Sequence, residues 1–232
     1  GEPDRASWTN IILKVRLPRA MTALLAGGAL GVAGLLMQTF FRNPLADPFV
    51  LGISSGASLG VALIVLAGGA SGAVFFAGLG LAGDVSLVLA ASLGAGLAMF
   101  GVLAVARRLQ SPMTLLILGL MLGYVTSALV SLLVHFSTPE RVQAYVNWGF
   151  GSFSGVTWSQ IPVLATALTL GVLLAFAQSK TLNALLLGEA YARSMGVNIE
   201  RARLTIILAS GLLAGAVTAF CGPIGFMGIA VP

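Results

Sequence analysis

Long stretches without a charged residue constrain the fold of this chain more than any other feature. Residues 20–41, 48–83, 85–106 and 113–134 contain no Asp, Glu, Lys or Arg. A helix needs about 20 such residues to cross the hydrocarbon core of a bilayer. Only 8% of all residues are charged, whereas a soluble domain carries about 25%. Too few charges remain to cover a soluble surface, so we predict an all-α, polytopic transmembrane bundle forming a single domain over 1–232.

The ends of the apolar runs set the predicted spans. The run 48–83 is too long for one helix and too short for two with a loop, so we predict one helix and a Gly-rich connection. No alternating ten-residue pattern of a membrane barrel is present. We expect helices at about 20–38, 49–67, 85–106, 113–134, 161–177 and 204–220, an interfacial stretch over 135–160, and a polar loop over 178–203.

The positive charges predict the orientation of these spans. Cytoplasmic loops of membrane proteins carry an excess of Lys and Arg. With the N-terminal stretch set aside, one side of the predicted bundle holds seven cations and the other holds only Arg141. We therefore place the N-terminal stretch and 135–160 outside and the seven cations in the cytoplasm. These are Arg42, Arg107, Arg108, Lys180, Arg193, Arg201 and Arg203.

Catalytic and metal sites are not supported by the composition. The chain has one cysteine, Cys221, and one histidine, His135, which excludes an intrachain disulfide and makes a zinc or haem site untenable. There is no P-loop, and no ionisable residue falls in the middle of a predicted span, so a proton relay has no candidate. The net charge of +5 comes from residues at span ends rather than from a nucleic-acid-binding stripe. We expect neither an enzyme nor a nucleic-acid partner.

The sequence RNPLADP over 42–48 interrupts the apolar pattern. Pro44 and Pro48 prevent a continuous helix, and Asn43 and Asp47 can bond the backbone groups that the break releases. One interpretation is a tight turn between two spans. The other is a broken helix at membrane depth, which requires burial in protein or a cavity and suggests a translocation path or gate.

A second segment, LGEAYARSMG over 187–196, predicts a two-turn helix bracketed by glycines. Glu189 and Arg193 have the favourable i, i+4 order, and Gly196 suits the left-handed position after a helix. So short a helix needs a surface to dock on. That surface is either the membrane side of the bundle or a cytoplasmic partner. The residues concerned are Gly188, Glu189, Tyr191, Ala192, Arg193, Ser194, Met195 and Gly196.

Basic residues precede the first predicted span. Lys14, Arg16 and Arg19 can be interfacial anchors whose side chains reach the lipid headgroups. Alternatively, they form a basic patch that pairs with carboxylates on an outer partner.

Glycines at helical spacing and a Gly/Pro-rich end complete the pattern. Four small-xxx-small pairs favour close helix packing, and a pore lined by bare backbone is the alternative. Residues 222–232 predict an irregular apolar break that feeds another helix. A faint echo between the segments after Arg19 and after Arg201 is typical of inverted repeats. The four small-xxx-small pairs are Gly27 with Gly31, Gly56 with Gly60, Gly119 with Gly123, and Gly211 with Gly215.

Four stretches together resemble the FecCD family of ABC-importer permeases, which serves iron-siderophores, haem and cobalamin. They are RLPRAMTALLAGGALGVAGLLMQTFFRNPLADPFVLGISSGAS, ARRLQSPMTLLILG, LLLGEAYARSMGV and GPIGFMGIAVP. The resemblance implies the type II importer fold of about ten helices, of which about six are present. It also implies that the chain starts after the first family helix and stops before the last ones.

The resemblance also implies roles for individual residues. It makes the segment around Glu189 the coupling helix that docks on the ATPase, and it makes Arg16 and Arg19 the docking residues for the substrate-binding protein. The gate region corresponds to Asn43, Pro44, Leu45, Ser111 and Pro112. Relatives often have a Ser/Thr-rich gate stretch, from which Pro112 departs.

The expected assembly follows from the same resemblance. It comprises a second permease copy, two cytoplasmic ATPase subunits that carry ATP-Mg, and a periplasmic or lipid-anchored binding protein, all at the bacterial inner membrane. This chain itself would bind no cofactor and no metal. A secondary transporter or channel with inverted repeats remains the alternative function.

Overall fold

The computed structural model describes residues 5–67, 84–106 and 112–232. All regular structure in these parts is helical, as predicted, and no strand occurs in them. The expected Gly-rich connection over 68–83, together with Arg107, Arg108 and Ser111, lies outside the described residues. The α-helices are α1 Arg5–Ile11, α2 Leu17–Phe41, α3 Ile53–Ala62, α4 Asp84–Ala106, α5 Pro112–His135, α6 Pro139–Gly149, α7 Ile161–Ala177, α8 Ser179–Leu186, α9 Glu189–Ser194, α10 Ile199–Cys221 and α11 Met227–Ala230.

Four of the described helices are long and apolar enough to cross a membrane. They extend over Trp8–Phe41, Val85–Ala106, Met113–His135 and Ile199–Cys221. Helix α7 adds a fifth crossing if it is taken together with α8, to which it is joined by a bend of 51°. The remaining predicted span, over 49–67, corresponds only to a shorter apolar helix. That helix covers Ile53–Leu66.

The first span differs from the predicted helix over 20–38. Helix runs without interruption from Arg5 to Phe41, through a π-helical turn at Ile12–Arg16. At 1.5 Å per residue, the apolar part is about 50 Å long and exceeds the roughly 30 Å hydrocarbon core. The expectation that Arg16 and Arg19 precede the helix is therefore wrong, since both lie on it.

The second span was predicted as one helix over 49–67, and this is wrong at its beginning. A 3-10 turn at Pro48–Leu51 comes first, and Gly52 then adopts a left-handed conformation with φ +77°. Side chains disfavour this backbone conformation, which glycine adopts readily. The α-helix starts only at Ile53, and a π-helical turn at Leu63–Ala67 follows it.

Helix α10 is the centre of the bundle. It packs against α2, α4 and α7, and 67% of its most apolar stretch is buried. Its start differs from the prediction, because the helix begins at Ile199 rather than at 204. Helix α5, by contrast, contacts mainly α3 and the 3-10 turn, and only 11% of its apolar stretch is buried. One long side of α5 is thus left uncovered by the described residues.

Glycines allow the closest approaches between helices. A Cβ atom on Gly94 would meet the backbone of Gly56, with the Gly56 carbonyl carbon 2.9 Å away. In the same way, a Cβ on Gly119 would lie 3.0 Å from the Leu51 Cα. All four predicted glycine pairs have at least one member against a neighbouring segment, which confirms the packing interpretation. The neighbours are Met227 and Val231 for Gly27 and Gly31, Gly94 for Gly56 and Gly60, Val50 and Ser55 for Gly119 and Gly123, and Ile53 and Met99 for Gly211 and Gly215.

Gly94→Ala and Gly96→Ala provide a matched test of this packing on one helix. The added methyl at position 94 collides with backbone atoms of α3, so we expect a loss of about 1–3 kcal/mol in the free energy of unfolding. At position 96 no atom lies within 4 Å, and the better helix propensity of alanine should leave stability equal or slightly raised. Thermal unfolding in detergent measures both, and equal melting temperatures would contradict the packing.

Candidate functional site

The loops and helix ends define two ends of the bundle. At one end, the Trp158 indole N–H donates to the Leu13 carbonyl oxygen at 2.8 Å. At the same end, the Ser152 N–H donates to the Cys221 carbonyl oxygen at 2.6 Å. These contacts bring the N-terminal helix and the 150s loop together, as the predicted topology requires. The opposite end contains the last turn of α2, helices α8 and α9, and the start of α10.

A cavity at this opposite end brings together three segments that are distant in sequence. Its volume is about 230 Å³. We call it the junction cavity. Its lining combines an aromatic floor from α2 with two arginines and a glutamate. The lining residues are Phe40, Phe41, Arg42, Leu185, Glu189, Ile199 and Arg203.

Arg42 ties the end of α2 to α8. Its backbone is left-handed, with φ +48°, which ends the helix and is uncommon for a residue with a side chain. The guanidinium then reaches sideways, and its Nη2 donates to the Leu185 carbonyl oxygen at 2.8 Å. A cation is favourable there because the last carbonyls of a helix are left unpaired and carry partial negative charge.

Glu189 joins α9 to α10. Its Oε1 lies 3.8 Å from Nη2 of Arg203, while Arg193, its neighbour in the i, i+4 pattern, is exposed. The Arg203 side chain is only 7% exposed, and that of Glu189 is 36% exposed. The ionic partner of Glu189 is therefore in the next helix rather than one turn further along its own, which sequence spacing did not indicate.

Helix α9 has the predicted bounds and caps. The N–H groups of Gly196 and Val197 donate to the carbonyl oxygens of Arg193 and Ala192, each at 3.0 Å, which is a Schellman motif. Gly196 has φ +83°, as that motif requires.

The helix has one buried face and one exposed face. Ala192 is completely buried against the bundle. Tyr191 and Met195, which lie four residues apart, are 53% and 58% exposed. Helix α9 therefore docks on its own bundle through Ala192 and presents an aromatic ring and a thioether outward.

The break over 42–48 satisfies its own backbone groups. Asn43 Oδ1 accepts from the Leu45 N–H at 2.9 Å, and Asp47 Oδ1 accepts from the Phe49 N–H at 2.8 Å. Burial raises the pKa of Asp47, and the bond from Phe49 partly opposes that shift. Pro44 and Leu45 are exposed, Leu45 by 70%. The break thus presents an apolar tip on a locally bonded turn.

The break over 42–48 also touches the irregular segment over 222–232, which the sequence did not indicate. A Cβ atom on Gly228 would lie 2.7 Å from the Pro48 Cδ, and Gly34 of α2 contacts the Gly228 backbone on the other side. The amide of Gln38 also points at this segment, with Nε2 donating to the Gly228 carbonyl oxygen at 3.4 Å. The glycines of α2 were a usable signal, since Gly34, seven residues after Gly27, lies on the same helix face as the predicted pair Gly27 and Gly31.

The remaining predicted site residues are separate from the junction cavity. Arg16 and Arg19 are both exposed, one in the π-helical turn and one in the first turn of α2. They lie on the helix that Trp158 contacts, at the opposite end of the bundle. Pro112 is the first residue of α5, and its partner in the prediction, Ser111, is outside the described residues.

These features define a polytopic helical membrane protein: a bundle of apolar helices with a locally bonded break and a polar junction at one end. The fold matches a solved structure of an inward-facing metal-chelate type ABC transporter with a TM-score of 0.85 and 30% identity, covering 99% of this chain and 70% of that one. The chain belongs to the FecCD transport family, whose profile matches residues 2–232. The predicted family and fold class are confirmed.

Curated relatives support the same assignment. The vitamin B12 import system permease protein BtuC of Klebsiella pneumoniae subsp. pneumoniae is 38% identical over 232 residues, which are 100% of this chain and 67% of that protein. Its Serratia proteamaculans counterpart is 37% identical over 222 residues, with 95% and 63% covered. The protein of Escherichia coli O6:H1 is 37% identical over 221 residues, with 95% and 64% covered. The chain therefore spans about two thirds of the length of these relatives.

The variants Arg203→Met and Arg193→Met compare the effect on stability of losing the buried ion pair with that of losing an exposed cation. Loss of the buried guanidinium leaves Glu189 without its partner, so we expect Arg203→Met to cost about 1–3 kcal/mol of unfolding free energy. The low end of that range applies if water reaches the half-buried carboxylate. Arg193→Met should leave the melting temperature in detergent unchanged. Equal stability of both variants would contradict a structural role for the pair.

Proposed function

We propose that this chain is the transmembrane permease subunit of an ATP-binding-cassette importer. The single observation that carries the proposal is helix α9, which is anchored on one face and bare on the other. Ala192 and the Glu189–Arg203 pair fix it to the bundle, while Tyr191 and Met195 remain exposed. A six-residue helix cannot be stable alone, and exposed aromatic and Met side chains are favoured at protein interfaces. Its outer face suits a cytoplasmic ATPase subunit.

The junction cavity suggests how force would pass from the ATPase to the membrane part. Helix α9 is joined to α10 through Glu189 and Arg203, and α8 is joined to α2 through Arg42. A displacement of α9 would therefore act on the cytoplasmic ends of two long spans at once. Helix α2 leads directly into the break, so Asn43, Pro44 and Leu45 are the part of the path that this movement would reposition. Ser111 and Pro112 are the proposed second side of the gate.

The proposed assembly has two permease copies, two ATPase subunits and an external binding protein. The long side of α5 that the described residues leave uncovered offers a surface to the second copy. ATP-Mg would be bound by the ATPase, and this chain would bind no cofactor. The bacterial inner membrane is the proposed location, since ABC importers with such binding proteins work there. The proposed cargo is a metal chelate of the iron-siderophore, haem or cobalamin kind, and the names of two relatives, a vitamin B12 permease and a metal-chelate transporter, support the class of chelate.

The double variant Tyr191→Ala, Met195→Ala tests the ATPase contact. Truncating two exposed anchors should weaken co-purification of the ATPase at least thirtyfold, which corresponds to about 2 kcal/mol for a central interface residue. Phe136→Ala, which removes an 80% exposed ring at the opposite end, is the matched control. The same loss in the control, or thiol labelling of Ser194→Cys from outside the cell, would refute this orientation.

The double variant Arg16→Glu, Arg19→Glu tests the outer contact. Reversing two exposed charges should lower the affinity of the substrate-binding protein at least tenfold at low ionic strength and less at high salt, because exposed charges are screened. Lys180→Glu reverses an exposed charge at the junction end and should change nothing. Titration of labelled binding protein onto the permease in nanodiscs measures both. Unchanged affinity of the double variant at low salt would eliminate this role.

A further inference from the structure

The junction cavity carries an excess of positive charge. Its charged lining residues in the described part of the chain are Arg42, Arg203 and Glu189, so two guanidinium cations accompany a single carboxylate. Both cations keep their charge at any physiological pH. The cavity has a volume of about 230 Å³, and its excess of one positive charge makes an anion the ligand that it would take.

One of these two cations is buried. The Arg203 side chain is only 7% exposed, and its Nη2 lies 3.8 Å from Oε1 of Glu189, whose side chain is 36% exposed. That distance exceeds the roughly 2.7–2.9 Å of a charge-assisted hydrogen bond. Water and salt screen a buried charge less than a surface charge. An anion in the cavity would therefore interact with Arg203 more strongly than with an exposed arginine.

Arg42 adds further donors to the lining. Its Nη2 donates to the Leu185 carbonyl oxygen at 2.8 Å, and the rest of the guanidinium makes no hydrogen bond within the described residues. A guanidinium has five N–H groups in a planar fork that matches the oxygens of a phosphate. Gly188 leaves room beside it, because even a Cβ atom there would lie 3.6 Å from the Arg42 Nη2. The bond to Leu185 thus fixes the group while most of its donors stay available.

The cavity lies at the level of the lipid headgroups. Phe41 is the last residue of one apolar span and Ile199 is the first residue of another, and both line the cavity. The span Ile199–Cys221 has 23 residues and is about 34 Å long at 1.5 Å per residue, which is close to the roughly 30 Å hydrocarbon core. Its first turn therefore lies at the boundary where the lipid phosphates begin.

Apolar surface adjoins the charged lining. Helix α8, which follows α7 after the bend of 51°, contributes Leu185 to the cavity and exposes Lys180. Leu186 and Leu187, the next two residues after Leu185, are 58% and 67% exposed. A short helix that combines cationic and apolar surface is typical of segments in the membrane interface. Exposed leucines beside an anion-binding lining match the two parts of a phospholipid, its acyl chains and its phosphate.

We propose that the junction cavity binds the phosphate group of an anionic phospholipid, whose acyl chains cover Leu186 and Leu187. Basic pockets between transmembrane helices recognise such headgroups. A phosphodiester with an uncharged head alcohol, as in phosphatidylglycerol, carries one negative charge and neutralises the excess charge of the lining. Phosphatidylcholine adds a cation and loses that net attraction. The inference goes beyond the proposed function, since lipid binding requires neither cargo nor ATPase.

Two other occupants share this anionic chemistry, a carboxylate of a protein partner and free phosphate. The outer face of α9, which suits a protein partner, carries Tyr191 and Met195, and neither of them lines the cavity. Free phosphate would satisfy the arginines but would leave Leu186 and Leu187 uncovered. A phospholipid accounts for the charge, the depth and the apolar surface together.

Native mass spectrometry of the intact permease in detergent tests the site by counting bound lipids during a titration. We expect phosphatidylglycerol to bind about fivefold more tightly than phosphatidylcholine, which is the effect of one elementary charge at a membrane surface. Arg42→Gln should weaken phosphatidylglycerol binding by about the same factor and abolish that preference. Lys180→Gln removes an exposed cation of α8 that does not line the cavity, and it should leave the affinity unchanged.

The variant Glu189→Gln gives an expected change of the opposite sign. It removes the only carboxylate of the described lining, so the affinity for phosphatidylglycerol should rise about threefold. Arg42→Gln and Glu189→Gln each remove one contact of the junction cavity. A cavity that was merely disturbed would therefore lose affinity in both variants, whereas selection by charge moves them in opposite directions.

Four results would overturn the inference. Equal affinity for phosphatidylglycerol and phosphatidylcholine would remove the charge selection, and equal losses in Arg42→Gln and Lys180→Gln would replace the cavity by diffuse surface charge. Displacement of the lipid by millimolar inorganic phosphate, but not by chloride at equal ionic strength, would assign the site to free phosphate. Release of the lipid when the ATPase binds would assign it to a carboxylate of that partner.

Discussion

Close contact between helix backbones is the interaction on which this structure depends. Lipid tails are as apolar as the side chains they surround, so burial in lipid gives no driving force for helices to associate. Van der Waals packing must supply it, and packing is strongest where backbones meet. Gly56 against Gly94 joins α3 to α4, and Gly119 against the 3-10 turn joins α5 to α3. Gly34 against Gly228 then holds the irregular C-terminal segment on α2.

Polar contacts provide connections between helices whose geometry can change, which close packing does not provide. The apolar interior is fixed by shape, and hydroxyls such as those of Thr22 and Thr218 bond their own helix. At the junction end, however, Arg42 and Arg203 reach across to Leu185 and Glu189. Such contacts can shift by an ångström or two without opening a cavity in the core, whereas close-packed interiors respond as whole units. A packed interior combined with polar contacts at one end suits a bundle whose rigid helices are displaced from that end.

The sequence predicted the apolar helices well and the connections between them poorly, for a physical reason. Charge-free runs and small-residue spacing are local signals, and α7 was predicted residue for residue at 161–177. The helix over 49–67 was wrong because Gly52 can be left-handed or helical, and only its position against Gly119 decides between them. The partner of Glu189 was missed for the same reason, since Arg203 is nearby only after α9 has docked.

The break over 42–48 shows how local hydrogen bonds and packing against a distant segment act together. The non-helical backbone is stabilised here by two different means. Asn43 and Asp47 bond the freed N–H groups locally, while Gly228 closes on Pro48 from the C-terminal segment. Bonded or packed residues therefore flank Leu45 on both sides, and the side chain of Leu45 itself is exposed. A segment built in this way can be displaced as a unit when α2 moves, without first losing its own hydrogen bonds.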